Sequence, residues 1–146
     1  MEFDGKVAIV TGGASGIGEA ITNELAENGA TVAIADLLED VGRETARGLE
    51  ARGFKARVFP VDVSDAAQVG AMVKSVVETY GGVDILVNNA GVGQSGPIED
   101  TSLEDWQYIV SINLTGPFLC TREAFRIMKP QGGGRIINVG SISAKV

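Results

Sequence analysis

Five short apolar runs punctuate the sequence, at residues 7–10, 31–35, 58–61, 85–87 and 136–139. The runs are continuous rather than interleaved with polar residues, which is typical of strands covered on both faces of a parallel sheet. A stretch with helical spacing or composition follows each of the first four, and such alternation indicates right-handed crossovers. Pro60 has no N–H to donate to a neighbouring strand, so the third run belongs at or near a sheet edge. The pattern predicts one α/β domain, a doubly wound parallel sheet with helices on both faces.

Helices are predicted between the runs, over residues 17–28, 38–52, 65–80 and 103–128. In the third, apolar side chains recur on one stripe, and Ser64 precedes it as a candidate N-cap. Thr101 or Ser102 is the candidate N-cap of the fourth. Gly116-Pro117 is expected to bend the fourth helix locally, because proline removes a backbone hydrogen bond.

A glycine-rich loop at residues 11–18, Thr-Gly-Gly-Ala-Ser-Gly-Ile-Gly, joins the first strand to the first helix. Glycines let the backbone turn sharply and approach a ligand closely. The N–H groups and the dipole at the start of the helix favour an anion such as a pyrophosphate. Such a loop is also compatible with a purely structural turn, so its context decides the interpretation.

Asp36 supplies that context, since it stands where the second strand ends. In a dinucleotide-binding fold an acidic residue at this point accepts hydrogen bonds from the adenosine ribose. The alternatives are a solvated loop carboxylate or a helix N-cap. A carboxylate roughly 4 Å from the ribose phosphate of NADP would repel it by several kcal/mol. Because Leu37 and Leu38 follow the aspartate and no basic residue stands near the loop, the sequence favours NAD.

Composition excludes several classes of function. The 12 Lys+Arg and 19 Asp+Glu give a formal charge of −7, which argues against nucleic acid and anionic membranes as partners. No histidine is present, so neither a histidine-dependent nucleophile nor a histidine-ligated metal site is possible. Cys120 is the single cysteine, which favours a reducing compartment. With no signal peptide and no apolar run of membrane length, we expect a cytoplasmic protein without a metal.

Five motifs in chain order resemble those of the short-chain dehydrogenase/reductase family, of the classical type. They are the loop pattern Thr-Gly-x-x-x-Gly-x-Gly, Asp62-Val63, Asn88-Asn89-Ala90-Gly91, Asn113 and the segment Asn138-Val139-Gly140-Ser141. Together they cover essentially the whole chain. The resemblance implies a Rossmann fold and hydride transfer between a secondary alcohol or ketone and NAD.

The resemblance also assigns roles to individual residues. The residues it implies for the pyrophosphate are Gly12, Ser15, Gly16, Ile17 and Gly18. For the rest of the cofactor they are Asp36 at the ribose, Asp62 and Val63 at the adenine, and Asn89, Ala90 and Gly91 towards the nicotinamide. Ser141 would polarise the substrate oxygen and Asn113 would position a proton relay. Simpler interpretations remain for some of them: Asn88 and Asn89 could only tie a turn, and Ser143 competes with Ser141.

The family's Tyr-x-x-x-Lys pair has no counterpart in these residues. Tyr80 is followed four residues later by Asp84, and Tyr108 by Ile112. We therefore interpret residues 1–146 as an incomplete NAD-binding domain, with the first five strands and four helices of an expected seven-stranded sheet. The resemblance further implies a homotetramer built through the helix at residues 103–128 and the helix after it. Two alternatives are a non-catalytic dinucleotide-binding module and an NADPH-dependent reductase of the same fold.

Overall fold

The computed structural model describes residues 1–93 and 96–141. Its five strands form one parallel sheet in the order β3-β2-β1-β4-β5. The strands are β1 (Val7–Thr11), β2 (Thr31–Asp36), β3 (Ala56–Pro60), β4 (Ile85–Asn88) and β5 (Arg135–Asn138). The predicted parallel sheet is confirmed. β3 lies at an edge of it, as predicted from Pro60, whose ring is exposed.

Helices cover both faces of this sheet. They are α1 (Gly16–Glu27), α2 (Glu39–Ala51), α3 (Ala66–Tyr80), α4 (Leu103–Val110) and α5 (Gly116–Met128). Successive residues of β1 point to opposite faces, so Ile9 packs in the core with α3 and α5 while Ala8 and Val10 pack in the core with α1 and α2. Burial on both sides explains why the strand is apolar at every position. Among the described helices, none is long and apolar enough to cross a membrane.

Cys120 belongs to the core formed with α3 and α5, where it is almost fully buried. Burial raises the pKa of its thiol to about 11, because the thiolate would lose its hydration. The thiol is therefore protonated at neutral pH and acts as a small apolar side chain.

The fourth predicted helix is interrupted rather than simply bent. A π-helical turn at Ser111–Thr115 separates α4 from α5 and precedes Pro117. Proline lacks the N–H that the carbonyl of residue 113 would accept in an α-helix, and its ring would crowd that carbonyl. The backbone widens instead, and the Gly116 N–H bonds to the carbonyl of Ser111, five residues earlier.

The prediction that Ser64 caps α3 was wrong. Asp65 is the N-cap, and its Oδ1 accepts hydrogen bonds from the N–H groups of Ala67 at 2.8 Å and Gln68 at 3.0 Å. Ser64 donates its hydroxyl to Asp62 instead, at 2.6 Å. Of the two candidates for α4, Ser102 is the cap.

The Asp65 cap makes the stability of this chain depend on pH. Hydrogen bonds from the Gln68 backbone and side chain hold the pKa of this exposed carboxyl below its usual 3.8. A lowered native pKa stabilises the fold fully above the unfolded pKa, and the contribution is lost as pH falls below 3.8 towards the native value. Asp65→Asn keeps a capping side chain that does not titrate in this range.

We therefore expect the melting temperature of wild type relative to Asp65→Asn to be constant near neutrality and to fall as the pH drops through 3.8. Thermal unfolding of the two proteins across this range measures the difference. Parallel curves would contradict the capping role of the charge.

Candidate functional site

A cleft of about 410 Å³ lies at the carboxyl ends of β1, β2 and β4. Parallel strands present these ends at one edge of the sheet, and in open α/β sheets this edge is where ligands bind. The lining residues are Gly12, Ser15, Ile17, Gly18, Ala35, Asp36, Leu37, Leu38, Val61, Asp62, Val63, Asn89, Ala90, Gly91, Val92, Tyr108 and Ile112. The structure thus brings together every predicted cofactor residue except Gly16.

The glycines of the β1–α1 loop have different structural roles. A Cβ at Gly18 would overlap the Gly12 carbonyl oxygen, so α1 begins in contact with the loop before it. Gly12 adopts a φ of +61° and lies against the backbone of Ala90. Gly16 has a φ of +53° with open space around the missing Cβ, so its contribution is the turn itself rather than the lining.

The start of α1 leaves donors for a ligand. Ser15 is the N-cap residue, but within the described structure its side chain makes no capping hydrogen bond. Asp65 and Ser102, in contrast, cap their own helices. The first N–H groups of an α-helix have no partner inside the helix. Backbone donors and the positive end of the α1 dipole therefore lie beside a loop whose glycines leave space for a ligand. This arrangement fits a pyrophosphate.

Asp36 lies at the end of β2 with 9% of its surface exposed. Its Oδ2 accepts a hydrogen bond from the Ala14 N–H at 3.1 Å, and its Oδ1 accepts one from the Leu38 N–H at 3.0 Å. A carboxylate oxygen can accept more than one hydrogen bond. The side chain is thus fixed by two backbone groups and keeps acceptor capacity towards the cleft.

The turn after β4 is tied to β1 by side chains. The Thr11 hydroxyl accepts hydrogen bonds from the N–H groups of Asn89 and Ala90, each at 3.0 Å, and donates one to the Val87 carbonyl at 3.3 Å. The Asn89 side-chain amide donates to the carbonyls of Thr11 and Gly12, at 3.1 and 3.2 Å. Asn89 therefore ties the turn as well as lining the cleft.

Asn88 points away from the cleft and joins two other elements. Its amide donates to the Thr121 hydroxyl at 3.1 Å and to the side-chain oxygen of Asn138 at 2.8 Å. The Asn88 carbonyl in turn accepts the Val139 N–H at 2.9 Å. This residue thereby fixes the end of β5, the strand that leads to Ser141.

The adenine-side candidates are held by local contacts. The Asp62 carboxylate accepts hydrogen bonds from both the N–H and the hydroxyl of Ser64. Val63 is buried, and a Cβ at Gly116 would lie 2.9 Å from its methyl group. The first turn of α5 therefore packs directly behind this part of the cleft.

Asn113 lies in the π-helical turn and holds the next stretch of chain. Its Oδ1 accepts the Val92 N–H at 2.8 Å, and its amide donates to the Val92 carbonyl at 2.7 Å. The oxygen and the amide nitrogen of the side chain are thus both hydrogen-bonded to one residue of the cleft wall.

The two predicted catalytic residues do not line the cleft. Asn113 is connected to the cleft only indirectly, because it is hydrogen-bonded to Val92, which is a lining residue. Ser141 follows β5 and is exposed. Its competitor Ser143 lies outside the described residues.

Several lining residues were not predicted from the sequence. Leu37 and Leu38 are 67% and 58% exposed, and Tyr108 and Ile112 form the wall contributed by α4 and the π-helical turn. Two consecutive exposed leucines directly after an acidic strand end are a usable signal for an apolar ligand surface. The spacing of Tyr108 and Ile112 gave no such signal, because one helical turn of apolar residues is also typical of a core.

A family model described as short chain dehydrogenase matches residues 6–146. The chain belongs to the short-chain dehydrogenase family.

Individual relatives of this dehydrogenase chain agree with the family match. It is 44% identical over 146 residues to a D-threitol dehydrogenase of Mycolicibacterium smegmatis, covering 100% of this chain and 56% of that protein. It is 46% identical over 142 residues to an uncharacterized oxidoreductase of Thermotoga maritima, covering 97% and 56%. The crystal structure of gox2181 superposes with a TM-score of 0.96 at 40% identity, covering 98% of this chain and 56% of that one. The chain thus spans just over half the length of these proteins.

The hydrogen-bonding role of the Thr11 hydroxyl in the site of this dehydrogenase chain can be tested by substitution. Thr11→Val removes the acceptor of two N–H groups while preserving shape, and each buried polar group left unpaired costs about 1–3 kcal/mol. We expect a loss of that order in the free energy of unfolding, measured by urea denaturation. Thr11→Ser keeps the hydroxyl and serves as the matched control. Equal stability of the valine and serine variants would contradict the bridging role.

Proposed function

We propose that these residues form the cofactor-binding part of an NAD-dependent oxidoreductase, which transfers a hydride between a secondary alcohol or ketone and the nicotinamide. The observation that carries the proposal is the buried Asp36 carboxylate, which lies in the cleft beside the glycine loop. Bound NAD supplies the hydride acceptor. The residues of this chain bind and orient it.

Asp36 selects NAD over NADP through charge. The ribose hydroxyls of NAD donate hydrogen bonds, and a carboxylate only accepts them. The additional phosphate of NADP would place negative charge beside the carboxylate, which costs about 4 kcal/mol per unit charge at 4 Å for an effective dielectric constant near 20. Among the described residues, those that line the cleft include no lysine or arginine to offset this repulsion.

The rest of the cleft divides along the cofactor. The start of α1, with Gly12, Ser15 and Gly18, holds the pyrophosphate by backbone donors. The apolar side chains of Leu37, Leu38 and Val63, with Asp62, hold the adenine. Asn89, Ala90 and Gly91 lead towards the nicotinamide, where Val92, Tyr108 and Ile112 complete the wall.

The reacting end of the site requires residues beyond these. We infer that Ser141 polarises the substrate oxygen and that Asn113 acts as a positioning residue for a water in the proton relay. A phenol with a pKa near 10 needs a neighbouring positive charge to act as a base at neutral pH, and the described residues contain no such tyrosine–lysine pair. We place the base outside residues 1–146 and expect this chain alone to bind NAD without turning over substrate.

The names of two relatives support the class of substrate. One is a D-threitol dehydrogenase and another is a 3-alpha-(or 20-beta)-hydroxysteroid dehydrogenase of Mycobacterium tuberculosis, 43% identical over 138 residues. Both names denote dehydrogenases of hydroxyl-bearing compounds. We propose an alcohol or ketone substrate on this basis.

We further propose that the complete enzyme is a cytoplasmic homotetramer. The outer face of α4, the π-helical turn and α5 supports the association, because its large apolar side chains are more than half exposed. They are Leu103, Trp106, Leu114, Phe118 and Phe125. Contiguous apolar surface of this kind marks an interface.

The cofactor preference can be tested on the 146-residue chain. We expect NADH to bind at least about tenfold more tightly than NADPH, measured by the fluorescence of the reduced nicotinamide. Asp36→Asn should lower this ratio, because it removes the charge and can no longer accept both backbone hydrogen bonds. Asp40→Asn removes an exposed charge of α2 outside the cleft and should leave the ratio unchanged. Equal binding of the two cofactors by wild type would contradict the proposal.

A further inference from the structure

Two consecutive carbonyls of the β1–α1 loop are bound by threonine hydroxyls from different helices. The Thr22 hydroxyl of α1 donates to the Gly13 carbonyl at 3.1 Å. The Thr45 hydroxyl of α2 lies 3.3 Å from the Ala14 carbonyl and 3.2 Å from the carbonyl of Val41, one turn earlier in its own helix. Both contacts are made on the side of the loop that faces the helices.

Thr22 is fully buried, and its hydroxyl fits closely against the loop. A Cβ at Gly13 would lie 2.9 Å from the Thr22 oxygen and 2.8 Å from the Val10 carbonyl oxygen. The glycine therefore leaves the space that the hydroxyl occupies. Valine has the same shape as threonine, so packing alone does not explain a hydroxyl at this position. A buried hydroxyl is tolerated only where it is hydrogen-bonded.

Fixing these carbonyls also fixes the donors of the loop. In a trans peptide the C=O and the following N–H point in opposite directions. The Gly13 carbonyl held by Thr22 therefore sets the direction of the Ala14 N–H, which donates to Asp36 Oδ2 at 3.1 Å. The Ala14 carbonyl held by Thr45 likewise sets the direction of the N–H of Ser15, a residue of the cleft lining.

We propose that Thr22 and Thr45 are positioning residues for the dinucleotide, an inference that rests on the proposed function. Their hydroxyls hold two carbonyls towards the helices, so that the Ala14 N–H is directed at Asp36 and the Ser15 N–H at the cleft before the cofactor binds. A loop held in this way loses less conformational freedom on binding. Neither residue touches the cofactor in this role.

The test compares two ligands on the 146-residue chain. NADH requires the pyrophosphate part of the cleft, whereas adenosine occupies the part around Asp36, Asp62 and Val63 and carries no phosphate. We expect Thr22→Val to weaken NADH binding about tenfold and Thr45→Val to weaken it about threefold. Adenosine, measured by its displacement of NADH, should keep its affinity in Thr45→Val, because the Ser15 N–H lies at the pyrophosphate part. It should lose affinity in Thr22→Val, because the Ala14 N–H that Thr22 orients donates to Asp36.

Two further variants separate positioning from stability. Thr22→Ser retains the hydroxyl and should restore NADH binding to within about threefold of wild type. Thr79→Val removes a hydroxyl that bonds to the Ser75 carbonyl within α3, remote from the loop, and should leave both affinities unchanged. If Thr22→Val does not fold, Thr45→Val decides the question, since Thr45 is partly exposed and tolerates valine.

Unchanged NADH binding by Thr45→Val together with unchanged binding by Thr22→Val, where that variant folds, would overturn the assignment. An equal loss of NADH and adenosine affinity in Thr45→Val would also overturn it, because a general loosening of the fold acts on both ligands. Failure of wild type to bind NADH would overturn the proposed function and this inference with it. NADH binding by wild type that neither valine substitution affects overturns only the inference.

Discussion

Side-chain hydrogen bonds join the carboxyl ends of β1, β2 and β4 to the loops beside them, and the site depends on these bonds. Thr11 and Asn89 bond the end of β1 to the turn after β4. Asp36 bonds the end of β2 to the glycine loop. Because buried backbone groups must be paired, these few side chains fix the distances between three strand ends, and the cleft is the space that they enclose.

Asparagine side chains make similar hydrogen bonds farther from the cleft. Asn88 links β4 to α5 and to Asn138 at the end of β5, and Asn113 links the π-helical turn to Val92. Each asparagine offers a donor and an acceptor on a short side chain, which suits it to bind backbone or a second amide. Asn113, to which the resemblance assigns a chemical role, thus also holds the chain around it, and a substitution there would change both.

The motifs allowed much of the site to be predicted, because a contiguous loop and strand ends of a parallel sheet are linked by topology. Gly12, Gly18 and Asp36 lie together for that reason. Which of two adjacent residues would cap a helix was less predictable. Ser64 and Asp65 both suit an N-cap, and Asp65 takes that place while Ser64 bonds to Asp62. Pro117 signalled an irregular helix, but the sequence pattern did not distinguish a π-helical turn from a simple bend.

The sequence by itself determined the order of strands and helices, the position of the glycine loop and the charge at the end of β2, since these follow from local pattern and composition. Only the tertiary structure decided which hydrogen bonds those residues make. Thr22 and Thr45 lie in helices as ordinary side chains, and the packing of α1 and α2 against the loop brings their hydroxyls to its carbonyls. Hydrogen bonds between distant segments require a particular orientation of both partners, and that orientation is set by the packed sheet and helices.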